Sequence, residues 1–440
     1  MSNRHSSPEP PSTANSTEKF DLPGRTSRND RAQFPDGGLA AWGVVLGGFL
    51  AQCSTWGIIM SFGVFKKEYT TTLLSNSSTP AISAIGSLQL FIGYGLGPLV
   101  GRLFDAYGSR ILNPLGSCIT VLSIILVSFC HENQPYQFFL THGVLFGIGC
   151  SILNTPSSAI INQWFYRKRP LALGIVSSGG ALGGTIFPLV LPQLISKLGF
   201  PWAIRILAAI IAVFLGITCV IARTRLPPSG GMTWRSAVDF SGFRDSRYSL
   251  ACSASFLMSY AMFIPYFFID DYAKLNGVKH DVAKLLVTIT SACSAISRIL
   301  PGIIANRFGA LDVLIPTTWT CATLVLGMWL PSHKPIPIAI FGGLYGFFSG
   351  PFNSLIKAYI ACISPQESFG ARLGTLDLFI AIATLIGPPT QGALIKPLSH
   401  DHFKHLIIFT GLTIVASGVV LAITRIVDYK HTCKEMRHWL

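Results

Sequence analysis

The chain has 440 residues, 50% of them hydrophobic and only 12% charged, with 33 Lys and Arg against 19 Asp and Glu for a net charge of +14. Globular domains carry roughly 25% charged residues, so the composition argues against a large soluble enzyme, and its hydrophobicity argues against intrinsic disorder. The basic residues are scattered between apolar segments, which points to a lipid bilayer as the partner surface and not to nucleic acid.

Residues 1–38 hold ten of the charges in a Ser-, Pro- and Asn-rich stretch without an apolar run. This reads as a disordered cytoplasmic N-terminal tail and not as a signal peptide. Twelve apolar runs follow, each near the 20 or so residues that cross a bilayer. They cover roughly 40–65, 81–103, 111–130, 136–163, 170–196, 201–222, 248–270, 281–305, 311–331, 336–362, 371–395 and 404–427. The expected fold is an all-α integral membrane protein of twelve transmembrane helices. A polar stretch, 223–247, divides them into an N-terminal six-helix bundle (39–222) and a C-terminal one (248–427), with a C-terminal tail at 428–440.

Lys and Arg set the orientation. With the N-terminus inside, the cytoplasmic segments carry 21 of them, the opposite loops nine, and Arg205, Arg298 and Lys357 fall within runs. Both termini are therefore expected in the cytoplasm, with the plasma membrane as the expected location. Asn76-Ser77-Ser78 is a glycosylation sequon in the first outside loop.

The halves resemble each other at an offset of about 200 residues. Gly101–Gly108 after the second run returns as Gly302–Gly309 after the eighth, Gly143-x-x-x-Gly147 as Gly342-x-x-x-Gly346, and Leu173-Gly174 as Leu373-Gly374. A six-helix unit duplicated in parallel is the repeat pattern of the major facilitator fold. Glycines four apart (Gly93, Gly97 and Gly101; Gly180 and Gly184; Gly342, Gly346 and Gly350) lie on single helix faces and permit close backbone approach.

Asp105, Gly108 and Arg110 occupy the loop between helices 2 and 3, and Asn306 and Arg307 the equivalent loop of the second half. An acid and a base at helix ends can latch one conformation, so Asp105, Gly108, Arg110 and Arg307 are expected to gate; with Asn306 in place of the acid, the second latch is expected to be weaker. Ionisable residues within a membrane mark functional sites. Arg298, Lys357 and Asp377 fall at one level, about 9–12 Å from the cytoplasmic helix ends. Arg298 is expected to attract an anionic substrate, with Asp377 neutralising it or Lys357 when the site is empty. Gln52 and Trp56 on helix 1 (with Met60), Gln89 and Tyr94 on helix 2, and Asn154 on helix 4 (between Ser151 and Ser158) are candidate cavity contacts. Arg205 is expected to snorkel, and His142 to be a core histidine.

The ten cysteines show no metal or disulfide spacing, and nine of them lie in or beside apolar runs. No metal or cofactor is expected, no nucleophile–base cluster suggests an enzyme, and without a Walker loop the energy must come from gradients.

Phe34-Pro35-Asp36-Gly37-Gly38 leading to Trp42, and Trp164-Phe165-Tyr166-Arg167-Lys168-Arg169-Pro170-Leu171-Ala172-Leu173-Gly174, resemble the two hallmark stretches of the monocarboxylate transporter family, fungal branch, of the major facilitator superfamily; Gly387-Pro388-Pro389 also fits. The resemblance spans about 34–427 and implies transport of small organic acids, with a proton in symport. The family's transport Lys of helix 1 falls at Met60 and its helix-8 Asp at Ser294, while its Arg is kept as Arg298. Anion recognition therefore carries over to this chain and the proton pair does not. Fungal relatives of the family carry varied substrates, so export of a secondary metabolite or transport of a vitamin is the alternative. A nutrient sensor, the remaining alternative, would be expected to add a long signalling tail.

Overall fold

The computed structural model describes residues 34–227, 240–277, 280–394 and 400–437. Most of the expected N-terminal tail and the centre of the 223–247 linker lie outside them. Twelve helices are long and apolar enough to cross a membrane: α1 (Leu39–Met60), α2 (Pro80–Tyr107), α3 (Ser109–Val127), α4 (Pro135–Trp164), α5 (Arg169–Leu198), α6 (Phe200–Ile221), α7 (Ser246–Leu275), α8 (Thr288–Phe308), α9 (Ala310–Trp329), α10 (Pro335–Ile363), α11 (Phe369–Gly387) and α12 (His400–His431). They follow the order of the twelve apolar runs. In lipid the backbone must satisfy its own hydrogen bonds, and helices do so within one segment. The helix containing α12 continues to Arg437, so the described part of the expected 428–440 tail is helical.

Four of these spans are interrupted. Turns stand at Leu96, Phe263, Arg298–Ile299 and Gly350–Pro351, each at or just before Pro98, Pro265, Pro301 or Pro351. Proline has no N–H for the carbonyl four residues earlier and its ring clashes with that carbonyl. The break in α8 places Arg298 at the end of a helical segment and not in mid-helix.

Within each half, small residues set the packing distance. In the first, a Cβ on Gly57 would come within 2.8 Å of the Gly183 Cα, so α1 and α5 touch backbone to backbone. In the second, Gly346 of α10 packs directly on the Thr290 carbonyl of α8. The even number of spans puts residue 34 and α12's end on one face, called the tail side; the opposite face is the far side.

The halves meet tightly near the tail side. Gly97 and Gly101 of α2 pack against Gly374 and Gly370 of α11, and Gly174 of α5 against the Arg298 carbonyl. A Cβ on Gly302 of α8 would come within 2.9 Å of the Pro170 carbonyl oxygen. Glycine is required at these crossings because backbone atoms occupy the space of a side chain.

Candidate substrate cavity

Above this seal the halves part around a cavity of about 830 Å³, its opening to solvent included. Gln52, Trp56 and Met60 line it from α1, Tyr94 from α2, and Asn154 and Ser158 from α4. The second half contributes Met262, Phe263 and Tyr266 of α7, Ser291, Ser294 and Arg298 of α8, and Asn353 and Lys357 of α10. Met60, at the far end of α1, is the lining residue with the greatest exposure (36%). With the tail side sealed, access is from the far side.

The walls combine aromatic surface with a few fixed polar groups. The Trp56 and Tyr94 rings pack at a tilt of 40° with centroids 4.4 Å apart. Asn154 organises the floor: its Oδ1 accepts from Gln52 Nε2 at 3.1 Å and from Trp56 Nε1 at 3.0 Å. Gln52 Nε2 also donates to Ser157 Oγ at 2.8 Å. Asn154 Nδ2 crosses to the other half and donates to Asp377 Oδ2 at 3.2 Å. Asp377 is fully buried behind the lining, with its other oxygen 3.9 Å from Lys357 Nζ.

Arg298 differs from Lys357. Its Nη1 donates to the Ser177 carbonyl of α5 at 2.6 Å, and its Nε is buried without a partner. Among the described residues no carboxylate lies within 4 Å of its guanidinium. The lining therefore presents two cations and no carboxylate. The helix-1 and helix-8 positions where the resemblance places charges are the uncharged Met60 and Ser294, and both face the cavity.

Seven of the eight expected site residues converge here: six line the cavity and Asp377 backs it. Gln89 does not. It is wholly buried between α2 and α4, where its Nε2 donates to the His142 carbonyl at 2.7 Å. That corrects the expectation of a cavity contact: the Gln89 amide group packs against a neighbouring helix backbone. His142 is buried, with Nδ1 2.8 Å from the Tyr69 hydroxyl. Arg205 reaches Ser128 Oγ at 3.2 Å and lies over the Phe129 and Trp202 rings. Ser177, Phe263, Tyr266 and Asn353 were not expected as lining. The Phe263–Pro265 break was the sequence signal that α7 turns its aromatic residues inward.

The gating residues sort into two groups. The Asp105 carboxylate, at the end of α2, accepts from the backbone N–H groups of Gly370 and Ala371 at 3.0 and 2.9 Å, across the halves at the start of α11. These two cross-half partners are backbone donors at a helix start. Asn306 occupies the equivalent place at the end of α8, and in its satisfied amide orientation its Nδ2 donates to the Arg167 carbonyl, just before α5, at 3.2 Å and to the Gly302 carbonyl at 3.3 Å. Gly108 holds φ +70 between α2 and α3. Arg110 is exposed at the start of α3, and the Arg307 guanidinium lies over the Phe308 ring; among the described residues neither makes a cross-half hydrogen bond.

The two hallmark stretches dock on each other. Asp36, at φ 48, accepts from the Tyr166, Arg167 and Lys168 N–H groups at 2.7, 3.0 and 3.4 Å, immediately before α5. Gly37 and Gly38 (φ +88) turn the chain into α1. Phe34 packs on Tyr166, and Trp42 packs edge-on against Phe165. Arg169 is buried, and its Nη1 donates to the Ala361 carbonyl of α10 at 3.0 Å, a further tail-side tie between the halves. Asn76 is exposed in the far-side loop. The Pro388 and Pro389 side chains lie outside the described residues.

Comparison with known proteins gives a consistent result. The family model of the Major Facilitator Superfamily matches residues 44–267 and 249–437. The MFS transporter asaE of Aspergillus flavus is 34% identical over 412 residues, covering 94% of this chain and 92% of that protein. The aspyridones efflux protein apdF of Emericella nidulans is 33% identical over 406 residues, covering 92% and 81%. The crystal structure of the human organic anion transporter MFSD10 superposes with a TM-score of 0.68 at 15% identity, covering 87% of this chain and 98% of that one, which establishes likeness of fold.

Proposed function

Given that the chain belongs to the Major Facilitator Superfamily and is a multi-pass membrane protein, we propose that it is a secondary transporter exporting an organic anion with an apolar or aromatic body. The observation that carries this reading is the cavity itself. Its aromatic walls suit an apolar body, and Arg298 and Lys357, with no carboxylate in the lining, suit an acidic group. Export is supported by the relative whose name is an efflux protein. Membership of the monocarboxylate branch is supported by the paired hallmark stretches around Asp36 and Arg169.

In this reading the tail side is cytoplasmic, the protein sits in the plasma membrane with both termini inside, and the conformation faces outward. The halves rock about the cavity to expose it to each side in turn. Asp377, the buried carboxylate beside Lys357, is assigned as the carrier of any coupled proton, because Met60 and Ser294 offer no titratable group.

The test uses purified full-length protein in liposomes, with 6-carboxyfluorescein and radiolabelled benzoate as probes, with and without a pH gradient. Protein-dependent flux that Arg298→Ala reduces at least tenfold is the expected result. Flux of neither anion under any gradient, or flux unchanged by Arg298→Ala, overturns the assignment.

A further inference from the structure

A second cleft lies outside the transport path, between the tail-side ends of α3 and α6. Ser109, Arg110, Cys219, Ala222 and Arg223 line it, and it encloses about 660 Å³, its opening to solvent included. Two guanidinium-bearing residues share this small space, and among the described residues no carboxylate lies within 4 Å of either. Like charges in one cleft repel unless an anion joins them.

The surrounding backbone is fixed. The Ala222 carbonyl accepts from Ser109 Oγ at 3.1 Å and from Asn113 Nδ2 at 3.0 Å. Trp164 Nε1 donates to the Arg223 carbonyl at 3.1 Å. The cleft thus has an ordered rim and no carboxylate of its own, and it sits where two membrane helices meet their polar ends.

The bilayer-facing sides of the same two helix ends are apolar. Ile111 and Leu115 of α3 are 57% and 49% exposed, and Val220 of α6 is 63% exposed. Ser117 Oγ lies 3.4 Å from Cys219 Sγ where the two helices meet. A ligand that matches both parts has an anionic head at the two arginines and a hydrocarbon chain on the α3–α6 surface.

We propose that this cleft binds the headgroup phosphate of an anionic phospholipid from the tail-side leaflet, with an acyl chain against the exposed apolar side of these helix ends. A basic residue near an anionic membrane surface is worth about fivefold in affinity, so the two arginines together give a preference of about 25-fold over a zwitterionic lipid.

Full-length protein in detergent is incubated with an equimolar mixture of phosphatidylserine and phosphatidylcholine, and retained lipid is counted by native mass spectrometry. The wild type is expected to keep one phosphatidylserine preferentially. Arg110→Gln/Arg223→Gln is expected to lose about 25-fold in that preference, and Arg110→Lys/Arg223→Lys to keep most of it. A preference unchanged by the Gln pair overturns the proposal. So does displacement of phosphatidylserine by inorganic phosphate at equal concentration, which would make the cleft a soluble-anion site. In the wild type alone, a photoreactive phosphatidylserine is expected to label peptides containing Arg110 or Cys219–Arg223, and labelling confined to other regions overturns the proposal whether or not the variants fold. None of these readouts requires transport, so they fail or succeed independently of the cavity's assignment.

Discussion

Asp105→Asn tests the tail-side seal. In the sealed conformation both carboxylate oxygens of Asp105 accept backbone N–H groups at the start of α11. A hydrogen bond to a charged group is worth about 1.5–3 kcal/mol, against about 0.5–1.5 for a neutral one. A carboxylate at a helix N-terminus adds about 0.3–1 kcal/mol from the dipole. Asparagine keeps one acceptor oxygen, turns an NH₂ toward the second backbone donor, and removes the charge. The sealed state should lose about 2 kcal/mol, a factor of about 30 in its equilibrium with the open one. Hydrogen exchange of a peptide covering 369–375, measured on protein in lipid nanodiscs, reads this directly: its protection should fall by up to about 30-fold. Unchanged exchange at 369–375 in Asp105→Asn would refute the reasoning, because it would mean the carboxylate does not hold the seal.

Gly374→Ala should open the same seal by steric means: its Cβ would meet the Gly97 carbonyl and the Pro98 nitrogen, backbone atoms that cannot rotate away. Overpacking of this kind costs about 1–3 kcal/mol, and the exchange assay should show it as a loss of protection over 369–375. Asn154→Ala leaves Asp377 Oδ2 and Trp56 Nε1 buried without their partner; the expected cost is about 1–3 kcal/mol per group, read as a lowered thermal midpoint in nanodiscs. A double-mutant cycle of Asn154→Ala with Asp377→Ala should give a coupling energy above about 0.5 kcal/mol, and strict additivity would show that the bond between the halves carries nothing. Asn76→Gln should abolish a mobility shift on glycosidase treatment of protein made in a fungal host, whereas a shift that persists would remove the far-side sequon as the glycan site.

The order of the twelve spans was legible because bilayer thickness fixes the length of an apolar run. The latches were partly legible: the offset of about 200 residues paired Asp105 with Asn306 before either contact was seen. Their partners were not legible, because a backbone N–H or carbonyl near the start of a helix leaves no mark on the side-chain pattern. The level shared by Arg298, Lys357 and Asp377 was readable from helix arithmetic, yet their pairing was not. The α8 break turns Arg298 toward Ser177 of α5, while Asp377 is held by Asn154 from the first half. Gln89 failed as a cavity contact for a related reason: a polar side chain on a membrane helix looks the same in sequence whether it faces a ligand or a neighbouring carbonyl. Asn154 was one of several polar residues on α4, and only the structure shows it joining three helices.

The positions of these ties also say how binding and movement are linked in the proposed transporter. Five of them hold the halves together at or below the cavity: Asp105 on α11, Asn306 on Arg167, Arg169 on Ala361, Asn154 on Asp377, and Arg298 on Ser177. The last is different in kind, because its donor is also the group offered to the substrate. Only Nη1 of Arg298 is bonded to the Ser177 carbonyl and Nε is free to donate, so an anion taken up by the guanidinium's other donors draws its positive charge away from that carbonyl. In this proposal binding weakens one tie of the seal, while the Asp105, Asn306 and Arg169 ties lie outside the cavity lining. A ligand shifts a conformational equilibrium only by its difference in affinity for the two states, and at Arg298 that difference arises because the open state has no Ser177 bond to break. Under the proposed function, the Arg298–Ser177 bond is the tie through which occupancy of the cavity would act on the tail side.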